Sequence, residues 1–410
     1  MIRTQSITAQ SISTDDIKRH NLARVLRFLH ENGELSRSEL VSRTGLNRST
    51  IGALVSDLAL AGIVEEGPGS GGSVGRPSLV VRPTPTSAFV VAFDLRVDRI
   101  VGAAFSLGGQ VLAQVERPRA DGPFAPHKAV SSLVECTEEL FAGIPDGSAW
   151  VGVGIAVPGV VDADSGFVRK APNLGWIDLN FVELIEPALH KAFGSAPKVM
   201  VGNDANLGAI AEYVRGAGAL ASTVVYLSGD VGVGGGVTFD GQVMTGASGF
   251  AGEIGHMVVN PHGVACNCGN RGCWETEIGR DAILRSAGTN IAESSVAEVV
   301  RKAQSGDATS LEGLKSIADW VGIGLSNLLN VIDPDVIVLG GHLAEIYPLI
   351  EMEVESRITQ SRPLFETRAR ISLPALTLGS TIVGASELAF TSLLNDPLTE
   401  MERSLSLVAS

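Results

Sequence analysis

Three of the chain's four cysteines fall within eight residues, in the run Cys266-Asn267-Cys268-Gly269-Asn270-Arg271-Gly272-Cys273-Trp274-Glu275. His256 stands ten positions upstream of the first of them. Three thiolates and an imidazole are the donor set of tetrahedral zinc, and the glycines let a short loop fold around an ion. A Cys-x-Cys disulfide would be strained, and pairing two of the three leaves one over. The expectation is a zinc ion held by His256, Cys266, Cys268 and Cys273. Four protein ligands leave no open coordination position, so its role is structural. Cys136 lies in an amphipathic stretch and reads as a small core residue.

A second group is Gly202-Asn203-Asp204-Ala205-Asn206, directly after an extended stretch, Lys198–Val201. A carboxylate flanked by amides at a strand end can accept from and donate to the hydroxyls of a polyol. In an enzyme, Asp204 would be a general base for a sugar hydroxyl. An ordinary Asx turn capping a helix from about Leu207 explains the same residues equally well. A third group is Glu253-Ile254-Gly255-His256 with Glu275 on the cysteine loop. Two carboxylates and an imidazole beside a metal-braced loop could grip one side of a sugar ring, or the acids could simply be solvated surface.

The elements around these groups set the context. The chain has 410 residues, 45% hydrophobic and 19% charged, with 48 glycines. That is a soluble, multi-domain composition, not a disordered, collagenous or disulfide-rich one. The longest apolar run, Val151–Val161, is too short to span a bilayer, and the polar N-terminus lacks a signal-peptide core. A cytoplasmic protein is expected. Residues 1–87 hold ten Lys/Arg against eight Asp/Glu, whereas the remainder holds 21 against 37. An acidic body repels nucleic acid, so any DNA contact is confined to the first segment.

That segment predicts a helix over 17–32, with Leu22, Val25, Leu26 and Leu29 on one face and Gly33 as its stop. Ser36 and Glu39 form a capping box for a second helix. After a turn at Thr44-Gly45-Leu46, Asn47–Ala61 predicts a third, with Ile51, Leu54, Val55 and Leu58 inward. Ile63–Glu66, a glycine-rich turn and Leu79–Val81 complete a two-stranded wing. This is the spacing of a winged helix-turn-helix. Asn47, Arg48, Ser49 and Thr50 would reach base edges in a major groove, and Arg76 in Gly75-Arg76-Pro77 would lie along a minor groove. A small three-helix interaction domain is the bland alternative; the order of helix, turn, polar-tipped helix and glycine-rich wing favours DNA binding. Pro83 and Pro85 mark a linker, dividing the chain into 1–86 and 87–410.

Beyond it, strands are expected at Phe89–Leu95, Arg99–Ser106, Gln110–Glu116 and Val151–Ala156, with a helix over His127–Phe141. A similar meander recurs at Thr223–Ser228, Gly234–Phe239 and after Asp240-Gly241. The repetition implies a duplicated α/β fold with a ligand cleft between its halves. No motif is legible from Asp396 onward.

Gly252-Glu253-Ile254-Gly255-His256 followed by Cys-x-Cys-Gly-x-x-Gly-Cys-x-Glu resembles the signature of the ROK family of repressors, open reading frames and sugar kinases. The resemblance covers about residues 17 to 394, and its order of winged helix, Gly-Arg-Pro linker and body is similar to that of the family's transcriptional regulators. It implies a two-lobed, actin-like (ribonuclease-H-like) ATPase-type fold with sugar held between the lobes. It further implies sugar contacts from Asn173, Asn203, Asp204, Glu253, His256 and Glu275, Asp204 being the base in kinases. His256 would serve both sugar and zinc, one ring nitrogen each.

Family kinases carry Asp-x-Gly-Gly-Thr where this chain has Asp94-Leu95-Arg96-Val97-Asp98, and Gly-Thr-Gly-x-Gly-Gly-Gly where it has Asp230-Val231-Gly232-Val233-Gly234-Gly235-Gly236. Side chains and negative charge replace glycine and threonine where phosphate would sit. Near the adenosine position, Gly340-Gly341-His342 keeps two glycines of three. The expectation is therefore a sugar-responsive regulator, a repressor acting on operator DNA as a homodimer or homotetramer. An ATP-dependent sugar kinase with a DNA-binding head is the alternative.

Overall fold

A computed structural model describes residues 13–69, 79–119, 122–247, 249–362 and 368–408. The first helix, α1 (Thr14–Asn32), starts at a Ser13/Asp16 capping box, three residues before the expected start, and ends against Gly33. A two-residue strand, β1 (Leu35–Ser36), leads into α2 (Arg37–Thr44), whose cap is the expected Ser36/Glu39 box. Helix α3 (Arg48–Leu60) follows, with Asn47 as its N-cap. The eight apolar positions named above for α1 and α3 are all buried. Strands β2 (Val64–Pro68) and β3 (Leu79–Pro83) pair antiparallel, and β1 adds to β3, so the wing has three strands where two were expected. A two-residue strand carries no readable alternation. Arg76 lies outside the described residues.

The expected linker is an ordered turn: Thr84 N–H donates to Ile63 O and Ser87 N–H to Thr84 O. The chain then enters the first sheet through β4 (Ala88–Leu95), β5 (Arg99–Ser106), β6 (Val111–Pro118), α4 (Pro126–Phe141) and β7 (Ala149–Val157). A small antiparallel flap follows, made of β8 (Val160–Val161), β9 (Val168–Ala171) and β10 (Trp176–Leu179), then α5 (Val182–Phe193) and β11 (Val199–Asn203). The sheet order is β11-β7-β4-β5-β6: an antiparallel meander to one side of β4 and parallel strands to the other.

Helix α6 (Asp204–Val214) leads to the second sheet: β12 (Thr223–Gly229), β13 (Val233–Phe239) and β14 (Gln242–Val243). Helices α7 (Trp274–Ile278), α8 (Arg280–Ser286), α9 (Val296–Gln304) and α10 (Ala308–Val331) then precede β15 (Val336–Gly341), α11 (His342–Ser361) and β16 (Arg370–Ser372). The order β14-β13-β12-β15-β16 repeats the first sheet's pattern, meander then parallel strands. The duplication anticipated from the recurring meander is present.

Two helices lie between the sheets. Helix α12 (Ser380–Asn395) buries Ile382, Ala385, Ala389 and Phe390 in one core with Val90 and Ala92 of β4 and Val151 of β7. Helix α6 packs Ala209 on Val224, Tyr226, Val336 and Val338 of the second sheet. The segment after Asp396 is a helix, α13 (Pro397–Val408), with Met401 buried in the α12 core. That same core continues into α1 and α3 through Leu22, Val25, Leu26, Leu29 and Val55. Head and first lobe thus share one apolar interior.

Candidate functional site

Helix α6 begins at Asp204, not near Leu207. The strand before it runs to Asn203, whose side-chain oxygen caps the helix by accepting from Asn206 N–H at 2.8 Å. The capping residue is therefore Asn203, and Asp204 stands free of that duty at the first helical position. Asn203 Nδ2 donates to Gly159 O at 2.9 Å and to Asp204 Oδ1 at 3.1 Å, and Ala205 N–H donates to the same Oδ1 at 2.8 Å. Three uses of the Asn203 amide lock the orientation of Asp204. Oδ2 has no hydrogen-bond partner among the described residues. Burial pushes the Asp204 carboxyl up to about 7, with Asp94 adding to the rise. A carboxylate so placed accepts a proton or a hydroxyl hydrogen near neutrality.

Asn203 faces a small recess between the lobes that Val160, Val161, Asn206, Gly235, Gly252 and Glu253 also line. Asn206 escaped the sequence reading as a site residue. Its Oδ1 is buried without a partner, an acceptor left for a ligand hydroxyl or water. Its signal was available in the i, i+3 spacing from Asn203, on one face of the helix. Val160 and Val161 belong to the flap, whose role only the three-dimensional pairing reveals.

Glu253 stands at the edge of this recess beside His256 and Glu275. His256 Nε2 is 3.9 Å from Glu253 Oε2, while His256 Nδ1 is 3.7 Å from Glu275 Oε1 and 3.7 Å from Cys266 Sγ. The ring thus turns one nitrogen toward the thiols and the other toward Glu253. Burial raises the Glu253 carboxyl above its usual range, with His256 opposing the shift. Of the expected contacts, Asn203 and Glu253 line the recess itself; Asp204 adjoins Asn203, His256 and Glu275 adjoin Glu253, and Asn173 stands apart. It is exposed on the turn Pro172–Leu174, and nothing in the structure joins it to the recess.

The donor atoms of His256, Cys266, Cys268 and Cys273 all lie within 4.8 Å of one another. Cys268 and Cys273 sulfurs are 3.6 Å apart. Thiolates about 2.3 Å from a tetrahedral zinc would be about 3.8 Å apart, so the cluster has the dimensions of a metal site. The loop is shaped to this end. Cys266 N–H donates to Asn270 O and Gly269 N–H to Cys266 O. Gly272 takes a φ of +68°, where a side chain would also run into the Asn260 carbonyl. Trp274 N–H donates to Met257 O, and the fully buried Trp274 ring donates from Nε1 to Trp320 O of α10. The loop is therefore anchored in the second lobe, and Glu275, just beyond it, turns Oε1 to within 2.9 Å of Cys266 Sγ.

The turn between β4 and β5 differs from a phosphate cradle in a specific way. Asp94 is buried, and Arg96 Nε donates to its Oδ2 at 2.7 Å. Burial raises the Asp94 carboxyl, while Arg96 works against that rise. Asp98 pairs with Arg99 at 2.6 Å, at the surface. Gly234, Gly235 and Gly236 lie inside strand β13, not in a loop. Side chains at Gly235 and Gly236 would strike Ile254 and the Ala205 carbonyl, so close packing accounts for these two glycines.

In the head, Asn47, Arg48 and Ser49 are exposed and Thr50 half-exposed at the N-terminal tip of α3. Asn47 Oδ1 accepts from Thr50 N–H and from Ser49 Oγ. These bonds set the tip's shape and leave Arg48 without a partner among the described residues.

A winged helix-turn-helix on a duplicated two-lobed body, with a polar recess between the lobes and a loop of one histidine and three cysteines, defines a class: actin-like sugar-binding proteins carrying a DNA-binding head. Residues 90–391 match the model of the ROK family, and residues 20–72 that of the MarR family. The chain belongs to the ROK family. The xylose repressor of Bacillus subtilis (strain 168) is 30% identical over 379 residues, covering 90% of this chain and 96% of that protein. The crystal structure of a ROK family transcriptional regulator, described as a homologue of the E. coli MLC protein, matches with a TM-score of 0.77. It is 24% identical and covers 95% of this chain and 99% of its own. A ROK hexokinase from Thermus thermophilus is 28% identical with a TM-score of 0.60, and covers 74% of this chain and 99% of its own.

Proposed function

We propose that this protein is a sugar-responsive, DNA-binding transcriptional regulator, a repressor of carbohydrate-metabolism genes, divided at about residue 86/87 into reader and sensor. The observation that carries this reading is that one chain holds both an exposed helix tip, whose Arg48 has no partner among the described residues, and an amide- and carboxylate-lined recess between the lobes. Arg48, with Asn47, Ser49 and Thr50, would contact operator bases, and the acidic body keeps the rest of the chain away from phosphate.

The sugar would donate hydroxyls to Asp204 Oδ2 and Asn206 Oδ1, with Glu253, Glu275 and the free edge of His256 on the other side. The residues lining the recess include no lysine or arginine. Arg96, on the turn that matches the phosphate loop, is occupied by Asp94. That pattern supports an uncharged sugar over a sugar phosphate. Asn173 would join only if closure of the lobes brought its turn inward. Zinc, held by His256, Cys266, Cys268 and Cys273, would brace the loop that carries Glu275 and supply no reaction chemistry. The Asp94–Arg96 pair fills the turn that a kinase needs open for phosphate, which supports a regulator that does not phosphorylate its sugar. Among the described residues no helix is long and apolar enough to cross a membrane, in keeping with a cytoplasmic regulator working as a dimer or tetramer on a two-fold operator.

A thermal-shift screen of neutral sugars and their phosphates against the purified protein tests the sensor half. Stabilisation by a neutral sugar, lost in Asp204→Asn, is expected. Stabilisation by sugar phosphates alone, or phosphate transfer from ATP, would contradict the reading.

A further inference from the structure

A buried polar cluster sits where the head meets the body. His30, on the last turn of α1, is fully buried among apolar residues, and its ring lies 4.8 Å from that of Phe390 on α12. Gly108 N–H donates to His30 Nδ1 at 3.0 Å, which places the ring proton on Nε2, 3.0 Å from Glu387 Oε2 of α12. Arg215, the C-cap of α6, completes the cluster. Its Nε donates to Glu387 Oε1 at 2.6 Å, its Nη1 to Gly108 O at 3.1 Å and its Nη2 to His30 O at 3.2 Å. Nη2 also lies 2.7 Å from His30 Nε2, and Glu387 faces both side chains, Oε2 toward His30 Nε2 and Oε1 toward Arg215 Nε. One guanidinium thus holds α1 of the head, α12, and the β5–β6 turn of the first lobe.

The other end of α6 is the sugar recess. Asp204 and Arg215 stand at opposite ends of one helix, about 16 Å long at 1.5 Å per residue. A helix of this length moves as a rod. It packs on the second sheet through Ala209, while α12 packs on the first through Ala385 and Ala389. The two helices pack closely on each other: Leu207 and Ala211 of α6 lie in one core with Ile382 and Ala385 of α12, a Cβ at Gly384 would strike the Leu207 carbonyl, and Ser380 Oγ donates to Glu212 Oε1 and Thr381 Oγ1 to Asp204 O. Closure of the lobes on a ligand would displace α6, and this close packing passes the displacement to α12. Helix α6 carries Arg215, and Arg215 is bonded to both α12 and the head.

We propose that His30, Arg215 and Glu387 form the link through which sugar in the recess alters the head, with α6 as the transmitting rod. The proposal rests on the functional reading above and adds to it the route of the response. A buried cluster with several mutual bonds has few ways to rearrange gradually, so a shift of α6 exchanges one bonded arrangement for another and reorients α1. These are positioning residues: they touch neither sugar nor DNA.

The test uses full-length protein, a DNA duplex selected by the wild type, and D-xylose, D-glucose and N-acetylglucosamine as probes. DNA affinity is measured with and without each sugar, and sugar affinity separately. Arg215→Lys keeps the charge facing Glu387 but loses the fork, and His30→Gln loses the ring. Each folded variant should bind DNA and sugar within about threefold of wild type. The change in DNA affinity caused by sugar, commonly ~5–150-fold in coupled systems, should fall below about twofold. The double variant should be no worse than either single one, because the residues act as one contact. Full response in folded Arg215→Lys overturns the proposal. So does loss of sugar or DNA binding outright, which would make the cluster merely structural. A wild type that responds to no sugar overturns the functional reading instead, and the coupling with it.

Discussion

Asp204→Asn should stabilise the protein while disabling its sugar site. Asn keeps an Oδ1 that can accept from Ala205 N–H and from Asn203 Nδ2, so the local hydrogen bonds survive. What it removes is a charge that the fold disfavours. The Asp204 carboxyl rises from an ordinary 3.8 to about 7, through burial first and Asp94 second. A carboxyl raised on folding adds no penalty while both states are protonated. It costs stability as pH climbs from about 4, and the full penalty stands above pH 7. A rise from 3.8 to about 7 corresponds to about 4 kcal/mol, and partial solvent contact brings this to roughly 2–4 kcal/mol. Urea unfolding of both proteins at pH 4, 5, 6, 7 and 8 measures the difference. The variant's advantage should be near zero at pH 4, grow through pH 7 and then level off. Sugar affinity should drop by about 1.5–3 kcal/mol, the worth of a hydroxyl bonded to a charged acceptor. In the wild type it should strengthen as pH rises through 7. An advantage that does not change between pH 5 and 8, or a destabilised variant at pH 8, would refute the assignment of strain to this carboxylate.

Glu387→Gln should behave with the opposite sign. Burial favours the neutral acid there, but His30 and Arg215 outweigh it and hold the carboxyl down at about 2. The variant should lose roughly 3 kcal/mol at pH 7 by urea unfolding, the scale of breaking a buried pair, and the gap should close as pH falls from 4.5 toward 2. Cys268→Ser should lower bound zinc by metal analysis and sugar affinity by isothermal titration together, while DNA binding by the head persists. Full zinc occupancy in that variant would remove Cys268 from the ligand set. Chelation of the wild type should lower its melting temperature and weaken sugar binding in parallel. Arg48→Ala should weaken specific DNA binding by about 1–3 kcal/mol and relax preference at one operator position, read by competition with single-base variants, with sugar affinity unchanged.

The elements of the head were legible because each helix carries its own punctuation: Ser36 with Glu39, Asn47 with Thr50, and glycines at 33 and 62. The metal cluster was legible because its ligands are local in sequence. The two sheets showed as a repeated meander. What escaped lay in long-range contacts. The flap strand β8 lines the recess beside Asn203, whose amide donates to Gly159 O, 44 residues away in sequence. The start of α6 was set three residues late because Asn203 and Asp204 both read as cap residues, and only the hydrogen bond to Asn206 N–H tells them apart. His30 and Glu387 are 357 residues apart, and a lone histidine on an apolar helix face gives no hint of such a partner. Pro83 and Pro85 mark a linker in sequence, but nothing there shows that the apolar faces of α1 and α12 join head and body in one core. The glycines of β13 carry a second constraint that sequence alone does not show. Their spacing matches a phosphate loop, yet side-chain clearance accounts for two of them.

The central claim is that one chain reads DNA and reports a sugar. Its most direct test is the dissociation constant for a duplex selected from a random library, measured with and without a neutral sugar that thermal shift has shown to bind. The account predicts at least a fivefold change in DNA affinity at saturating sugar, absent in Asp204→Asn. Identical DNA affinity with and without a sugar that demonstrably occupies the recess would contradict it.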